Sequence, residues 1–356
     1  MDKPLLPIDR KDSHLSICLE KDVDYSVNHS NGFAEYRFEH DALPELHYEK
    51  IDLRTQLLGK TLSAPLIIGA MTGGTERTGE INRRLALAAE RCQVGFALGS
   101  QRKMLNATEN TAVTASYCVR NYAPSLPLLF GNVGAVQFNY GVSVDQIKEL
   151  ISRVGCDAFN FHLNPLQEAI QPEGDRDFSN LIPKLKDAIP QLGVPVFLKE
   201  VGSGISQRTA RKIKSIPFSG IETAGVGGTS WSKIEALRAQ NPIGHSTGVL
   251  FAQWGIPTAE SVLNCRAEFP DRIVIASGGI RNGIEIATAI ALGADAAATA
   301  LPVLKAAEIS VDHAIAAIER IITELRTAMF VAGVSSVKDL RTQGRSLLKT
   351  KREVLT

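Results

Sequence analysis

Residues 157–168 read D-A-F-N-F-H-L-N-P-L-Q-E, from Asp157 to Glu168. The first five form an apolar run of strand length that ends abruptly at His162. Within seven residues an imidazole, two carboxamides and a carboxylate follow, separated only by leucines and Pro165. Proline tolerates the first turn of a helix, so the segment predicts a buried strand, a short loop and then a helix. Reactive groups gathered just past a strand end are what a barrel enzyme carries at its mouth. The plainer alternative is a polar loop that caps the following helix.

Working outward, the same unit recurs. Strands are expected at Pro65 to Ala70, Phe96 to Ser100, Leu128 to Asn132, Ala158 to His162, Pro195 to Lys199, Gly220 to Ala224, Ile273 to Ser277 and Ala296 to Thr299. Helical patterns lie between them, among them Glu80 to Arg91, Val144 to Arg153, Ser206 to Lys214 and Gly283 to Leu292. Strand and helix in alternation imply a parallel sheet. Eight such units predict an α/β protein with a TIM (β/α)8 barrel over residues 65–309; a doubly wound open sheet is the alternative. Residues 1–64 form an N-terminal extension with an extended lead-in, and residues 310–356 a C-terminal tail with one amphipathic helix, His313 to Phe330, and a basic end, Lys349 to Arg352. No linker separates these parts, so one domain is expected over residues 1–356.

The composition narrows the class. The formal net charge of +1 offers no electrostatic footprint for nucleic acid or a membrane surface. The first residues lack an apolar signal core, and no window reaches 18 uninterrupted apolar residues. Five scattered cysteines without metal spacing read as reduced thiols. A cytoplasmic enzyme is the simplest expectation.

Three glycine-rich turns follow predicted strands. Ser277-Gly-Gly-Ile-Arg281 opens a helix after the seventh strand, where backbone N–H groups and a helix N-terminus suit a phosphate. Barrels often bind phosphate between strands seven and eight. Gly225 to Trp231 (G-V-G-G-T-S-W) follows the sixth strand, with Thr229 suited to a phosphate oxygen and Trp231 either a pocket wall or a core residue. Met71 to Thr75 (M-T-G-G-T) follows the first and leaves room for a flat ring. Asn132, at the end of the third strand, offers an amide for a ring's nitrogen and oxygen atoms. Lys199 ends the apolar run of the fifth strand, where a buried ammonium needs a partner or a chemical role. Beside a flavin it would favour the anionic reduced ring, as a Schiff base it would be covalent, and otherwise it pairs with Glu200.

With these motifs the chain resembles the type 2, FMN-dependent isopentenyl-diphosphate isomerases. The matching pieces are R-K-D-S-H (Arg10 to His14), M-T-G-G-T, G-S-Q-R (Gly99 to Arg102), G-N-V-G-A, H-L-N-P-L-Q-E, F-L-K-E-V-G-S-G-I-S, G-V-G-G-T-S-W, W-G-I-P-T and S-G-G-I-R, in that order from residue 10 to about 302. The resemblance implies FMN against Ala70, Met71, Thr72, Ser100, Asn132, Lys199 and Thr229, with its phosphate at Gly279, Arg281, Ala300 and Leu301. It implies a substrate diphosphate against Arg10, Lys11, Ser100, Gln101, Arg102, His162 and Asn164, with Gln167 facing the five-carbon unit and Glu168 holding Mg2+. Catalytic roles fall to Gln167, Lys199 and His162. One departure from the family pattern is Ala224, where a serine usually touches the flavin; losing that hydrogen bond costs about 1 kcal/mol.

The implied reaction converts isopentenyl to dimethylallyl diphosphate, reversibly and with no net redox change, using reduced FMN and Mg2+, with NADPH only as the flavin's reductant. The resemblance further implies a homo-oligomer, a tetramer or octamer. Two rivals stand beside it: an FMN-dependent oxidoreductase on the same barrel, such as a 2-hydroxy-acid oxidase, and a flavin-binding protein without catalysis.

Overall fold

Apolar β-branched and small residues fill the eight predicted strand segments, and each segment forms a strand. The computed structural model describes residues 9–25, 29–107 and 111–351; Arg352 of the basic end lies outside them. The N-terminal flank contains helix α1 (Arg10–Glu20), strand β1 (Tyr36–Phe38) and a hairpin of β2 (Thr55–Leu57) and β3 (Lys60–Leu62). Next come β4 (Leu66–Ile68), α2 (Glu76–Cys92), β5 (Gly95–Ala97), α3 (Ala112–Ala115), β6 (Leu129–Gly134), α4 (Val144–Val154), β7 (Ala158–Leu163), α5 (Pro165–Ile170) and α6 (Leu181–Ala188). The chain continues through β8 (Val196–Glu200), α7 (Gln207–Ile213), β9 (Gly220–Glu222), α8 (Trp231–Arg238), α9 (Pro242–Leu250) and α10 (Thr258–Glu268). It closes with β10 (Ile273–Ser277), α11 (Gly283–Ala291), β11 (Ala296–Thr299), α12 (Leu301–Ile309), α13 (Val311–Val331), α14 (Val337–Gln343) and β12 (Leu348–Thr350).

Strands β4 to β11 pair in parallel and close, β11 returning to β4. This is the expected TIM barrel. Its interior is packed: Ile67, Phe130, Phe197, Ile275 and Ala298 form one cluster, with Phe130 and Phe197 edge to face at 5.2 Å. Gly220 is glycine because a Cβ there would lie 2.2 Å from the Phe197 ring. The β2–β3 hairpin sends Leu57 and Leu62 into the same cluster. Helix ends are specified locally: capping boxes start α2 at Thr75 and α4 at Ser143, and Gly155 ends α4 in the left-handed conformation at φ 68°.

A matched pair of aspartates ties strands together before β7 and β11. Asp157 accepts the Leu129 N–H at 2.8 Å and pairs with Arg120, while Asp295 accepts the Val274 N–H at 2.8 Å and pairs with Arg266. The two clips sit four strands apart around the barrel, at the same place in each half.

The flanks carry more structure than the sequence suggests. Helix α1 is not predicted by periodicity, because its buried face presents Lys11 and His14 alongside Leu15 and Cys18 and so lacks an apolar stripe. The tail holds α14 and β12 besides the expected helix, and β12 pairs antiparallel with β1, joining the two flanks. Among the described residues no helix is long and apolar enough to cross a membrane.

Candidate active site at the C-terminal mouth of the barrel

The strand ends and α1 enclose a cavity of about 400 Å³, within the usual range for small-molecule sites. All the expected site residues line it except Gln101. Gln101, at φ -90° and ψ 16°, opens a 3-10 turn that starts at Arg102; Ser100 and Arg102 line the cavity and Gln101 does not. The Gln101 carboxamide oxygen accepts the Asn132 N–H at 2.8 Å, and the side chain is fully buried. The structure thus brings Gln101 to the Asn132 backbone and not to the cavity lining, apart from the residues grouped with it by the resemblance.

On one side of the cavity the glycine turns interlock. A Cβ on Gly228 would lie 2.4 Å from the Gly279 nitrogen, and one on Gly279 would lie 2.3 Å from the Gly227 oxygen. The Arg281 guanidinium spans this junction, donating to the carbonyls of Gly279 and Gly227, each at 2.8 Å, and to Asp24 at 2.9 Å. Its role in these contacts is to brace the turns. Nearby α12 starts at Leu301 without a side-chain cap, and Ala300, Leu301 and Pro302 at its start line the cavity. Ala224 sits at φ 37°, a left-handed conformation that costs alanine about 1 kcal/mol, and its N–H donates to Ser277 Oγ at 3.0 Å.

The cavity floor holds a charged pair. Lys199 lies beside Glu222 in the β8–β9 register, with Nζ 3.1 Å from Glu222 Oε1 and 2.7 Å from the Glu200 carbonyl. The alternative pairing with the Glu200 carboxylate is not found: that group instead accepts the N–H groups of Val201, Gly202 and Ser203.

His162 is buried, and its Nδ1 lies 2.9 Å from Asn132 Oδ1. The Asn132 amide nitrogen donates to the Leu98 carbonyl at 3.1 Å, so its oxygen faces the ring and Nδ1 carries the proton. Burial, with Lys199 and Lys11 nearby, pulls the imidazole down to about 3. The neutral ring therefore presents a lone pair at Nε2, and donating to an anion requires it to take up a proton first. Lys11 donates to the Ser100 carbonyl at 3.2 Å; burial, then Arg10 and Lys103, lower it to about 7.

The H-L-N-P-L-Q-E loop contributes His162, Asn164, Gln167 and Glu168 to the same lining. Asn164 Nδ2 donates to Gln167 Oε1 at 3.1 Å and to Glu168 Oε1 at 3.0 Å. Glu168 Oε2 accepts the Asp175 N–H at 2.7 Å, and burial raises this carboxyl. Asp175 also pairs with Arg102 at 2.6 Å. The Gln167 amide donates to Glu235 at 3.2 Å. Glu235 is fully buried, 3.0 Å from His14 Nε2 and paired with Arg238 at 2.5 Å. Burial pushes its carboxyl up, but His14, Arg238 and Gln167 more than reverse the shift.

Glu222, Asp175, Glu235 and Arg238 do not stand out in the sequence. Only Glu235 carries a signal there: with Arg238 it forms an i,i+3 pair one turn into the helix that follows the G-V-G-G-T-S-W turn. His14, part of the R-K-D-S-H motif without a role assigned to it, also lines the cavity.

The chain is 44% identical over 335 residues to the isopentenyl-diphosphate delta-isomerase of Nostoc sp. (strain PCC 7120), covering 94% of each chain. It is 45% identical over 335 residues to that of Synechococcus sp. (strain ATCC 27144), covering 94% of this chain and 95% of the other. The chain belongs to the isopentenyl-diphosphate delta-isomerase family. Residues 252–347 match the family model for FMN-dependent dehydrogenases, which places this isomerase in the type 2, FMN-dependent group. Solved structures share its fold: a flavocytochrome b2 variant at TM-score 0.71 and 17% identity, covering 95% of this chain and 82% of the other, and a mandelate oxidase variant at TM-score 0.62 and 16% identity, covering 94% and 95%.

The residues present fit a phosphorylated flavin. The glycine turns pack backbone against backbone with no room for a Cβ and so bring main chain to the cavity wall, an uncapped helix start adjoins them, and Lys199 lines the same cavity. They also fit one hard cation completed by phosphate oxygens and water. Glu168 is a buried carboxylate at the cavity wall, each oxygen holding one hydrogen bond with lone-pair capacity to spare.

Proposed function

We propose that this isomerase interconverts isopentenyl and dimethylallyl diphosphate without net redox change, using reduced FMN, one Mg2+ and NADPH solely to reduce the flavin. One observation carries the reading: close-packed glycine turns, a buried lysine, three cationic side chains and a neutral carboxamide, Gln167, line a single cavity. When bound, reduced FMN supplies the acid and base for moving a proton between the two ends of the allylic unit. Arg10, Lys11 and Arg102 gather the charge a diphosphate needs in a chain of net charge +1. Glu168 would hold the metal, and Asn164 orients both Glu168 and Gln167. Lys199 would favour negative charge on a flavin ring bound in this cavity. Neither Gln167 nor neutral His162 is a proton carrier of the required kind, which favours isomerisation on the flavin over side-chain acid–base chemistry. A cytosolic homo-oligomer completes the proposal; the five free thiols suit a reducing compartment.

The test is anaerobic turnover of isopentenyl diphosphate with FMN, Mg2+ and NADPH. Activity should vanish on omitting reductant or adding EDTA, with no stoichiometric NADPH loss. Full turnover with oxidised flavin would rule the scheme out.

Binding should also depend on pH through Lys11. In the free protein this ammonium is charged below about 7, and an adjacent diphosphate raises its affinity for the proton. Affinity for pyrophosphate is therefore fully expressed below pH 7 and falls by up to about tenfold per unit above it. Lys11→Arg keeps its charge throughout, so the ratio of the two proteins' affinities isolates this effect from the ligand's own ionisation. A constant ratio from pH 6 to 9 would remove Lys11 from the contact.

A further inference from the structure

We propose that Glu222 is the counter-charge that sets how strongly Lys199 draws negative charge onto a bound flavin, with Ser277 holding the carboxylate in position. The inference rests on the functional reading only in requiring a flavin in the cavity.

Three neighbouring strands build the arrangement. Register places Lys199 of β8 beside Glu222 of β9, and Glu222 beside Ile275 of β10, two residues before Ser277. Glu222 Oε1 contacts Lys199 Nζ at 3.1 Å and accepts the Ser277 hydroxyl at 2.8 Å. The same hydroxyl oxygen accepts the Ala224 N–H at 3.0 Å, so its proton is directed at the carboxylate. The side chains of Lys199 and Glu222 are 9% and 5% exposed, yet both line the cavity with Ser277.

Of the other charged or titratable groups near Lys199, Glu200 acts on it through space and the rest add positive charge or none. His162, beside it on β7, is neutral, and the Glu200 carboxylate on its own strand is taken by the three N–H groups of the following turn. Arg10, Lys11 and Arg102, across the mouth, add positive charge. Among the described residues, Glu222 is the carboxylate in contact with the lysine.

A carboxylate 3.1 Å from an ammonium in a low-dielectric floor cancels much of the field that the ammonium projects. Lys199 alone would hold an anionic reduced ring tightly and make it a poor proton acceptor. With Glu222 beside it, the pair stabilises that charge moderately, which suits a reaction in which the ring must exchange protons and keep its electrons.

The test compares flavin midpoint potentials at pH 6.5 in wild-type holoenzyme, Glu222→Gln, Lys199→Met and the double variant. Removing the carboxylate charge should favour reduced over oxidised FMN by tenfold or more, an upward shift of about 30 mV for a two-electron couple. Lys199→Met should move the potential down, and the double variant should return near wild type. Glu222→Asp keeps the charge and should stay within threefold of wild type. A potential in Glu222→Gln at or below the wild-type value overturns the proposal. Because the readout is a ratio of affinities, it survives a variant that binds flavin weakly in both states, which a purely structural role would produce. Wild-type protein that takes up no flavin would overturn the functional reading as well.

Discussion

Gly279→Ala protein should purify colourless. Gly279 has φ 71°, and an added Cβ would lie 2.3 Å from the Gly227 oxygen and 2.8 Å from the Gly228 nitrogen. The opposing turn cannot retreat: Gly227 has φ 122° and its own Cβ would meet the Asn31 backbone at 2.3 Å. Asn31 in turn donates to the Gly279 carbonyl at 2.8 Å and to Glu285 at 2.6 Å. Backbone strain of about 1–3 kcal/mol, relieved by pushing the two turns apart, should weaken FMN binding by about 5- to 150-fold. Gly279 lies outside the barrel strands, so far-UV circular dichroism should be unchanged. Visible absorbance of the purified protein and FMN titration measure the effect; a yellow variant with wild-type affinity would remove this turn from the phosphate site.

The second large effect is on turnover. Gln167→Asn shortens the side chain by one methylene and breaks two contacts together, the donation to Glu235 at 3.2 Å and the acceptance from Asn164 at 3.1 Å. Misplacement on this scale costs about 100-fold in kcat, while KM and the flavin spectrum should change little, because neither the cationic mouth nor the glycine cradle is touched. Glu235→Gln, which keeps the shape and loses the charge, should show part of the same kcat loss. If kcat in Gln167→Asn stays at the wild-type value, the carboxamide has no part in orienting the substrate.

Much of this site was legible because its residues cluster in short motifs directly after strands. His162, Asn164, Gln167 and Glu168 lie within seven residues, and a strand end necessarily delivers them to the same mouth. Gln101 shows the limit of motif reading. It belongs to G-S-Q-R, but its carboxamide turns to the Asn132 backbone and it does not line the cavity as Ser100 and Arg102 do. Helix α1 is hidden for a related reason: hydrophobic periodicity detects a face buried against a core, and this helix buries Lys11 and His14 over a polar cavity.

By itself the sequence determined the barrel and the glycine turns, since strand pattern, capping and backbone freedom at glycine are local properties. Its motifs also placed most of the cavity-lining residues. Only the tertiary structure decided the partners: Glu222 for Lys199, Asp175 for Arg102, and Glu235 with His14 and Arg238 behind Gln167. Those pairings depend on strand register and on how α1 and α8 close over the mouth. A charge sees its nearest neighbour in space, and in a closed barrel that neighbour often lies tens or hundreds of residues away along the chain.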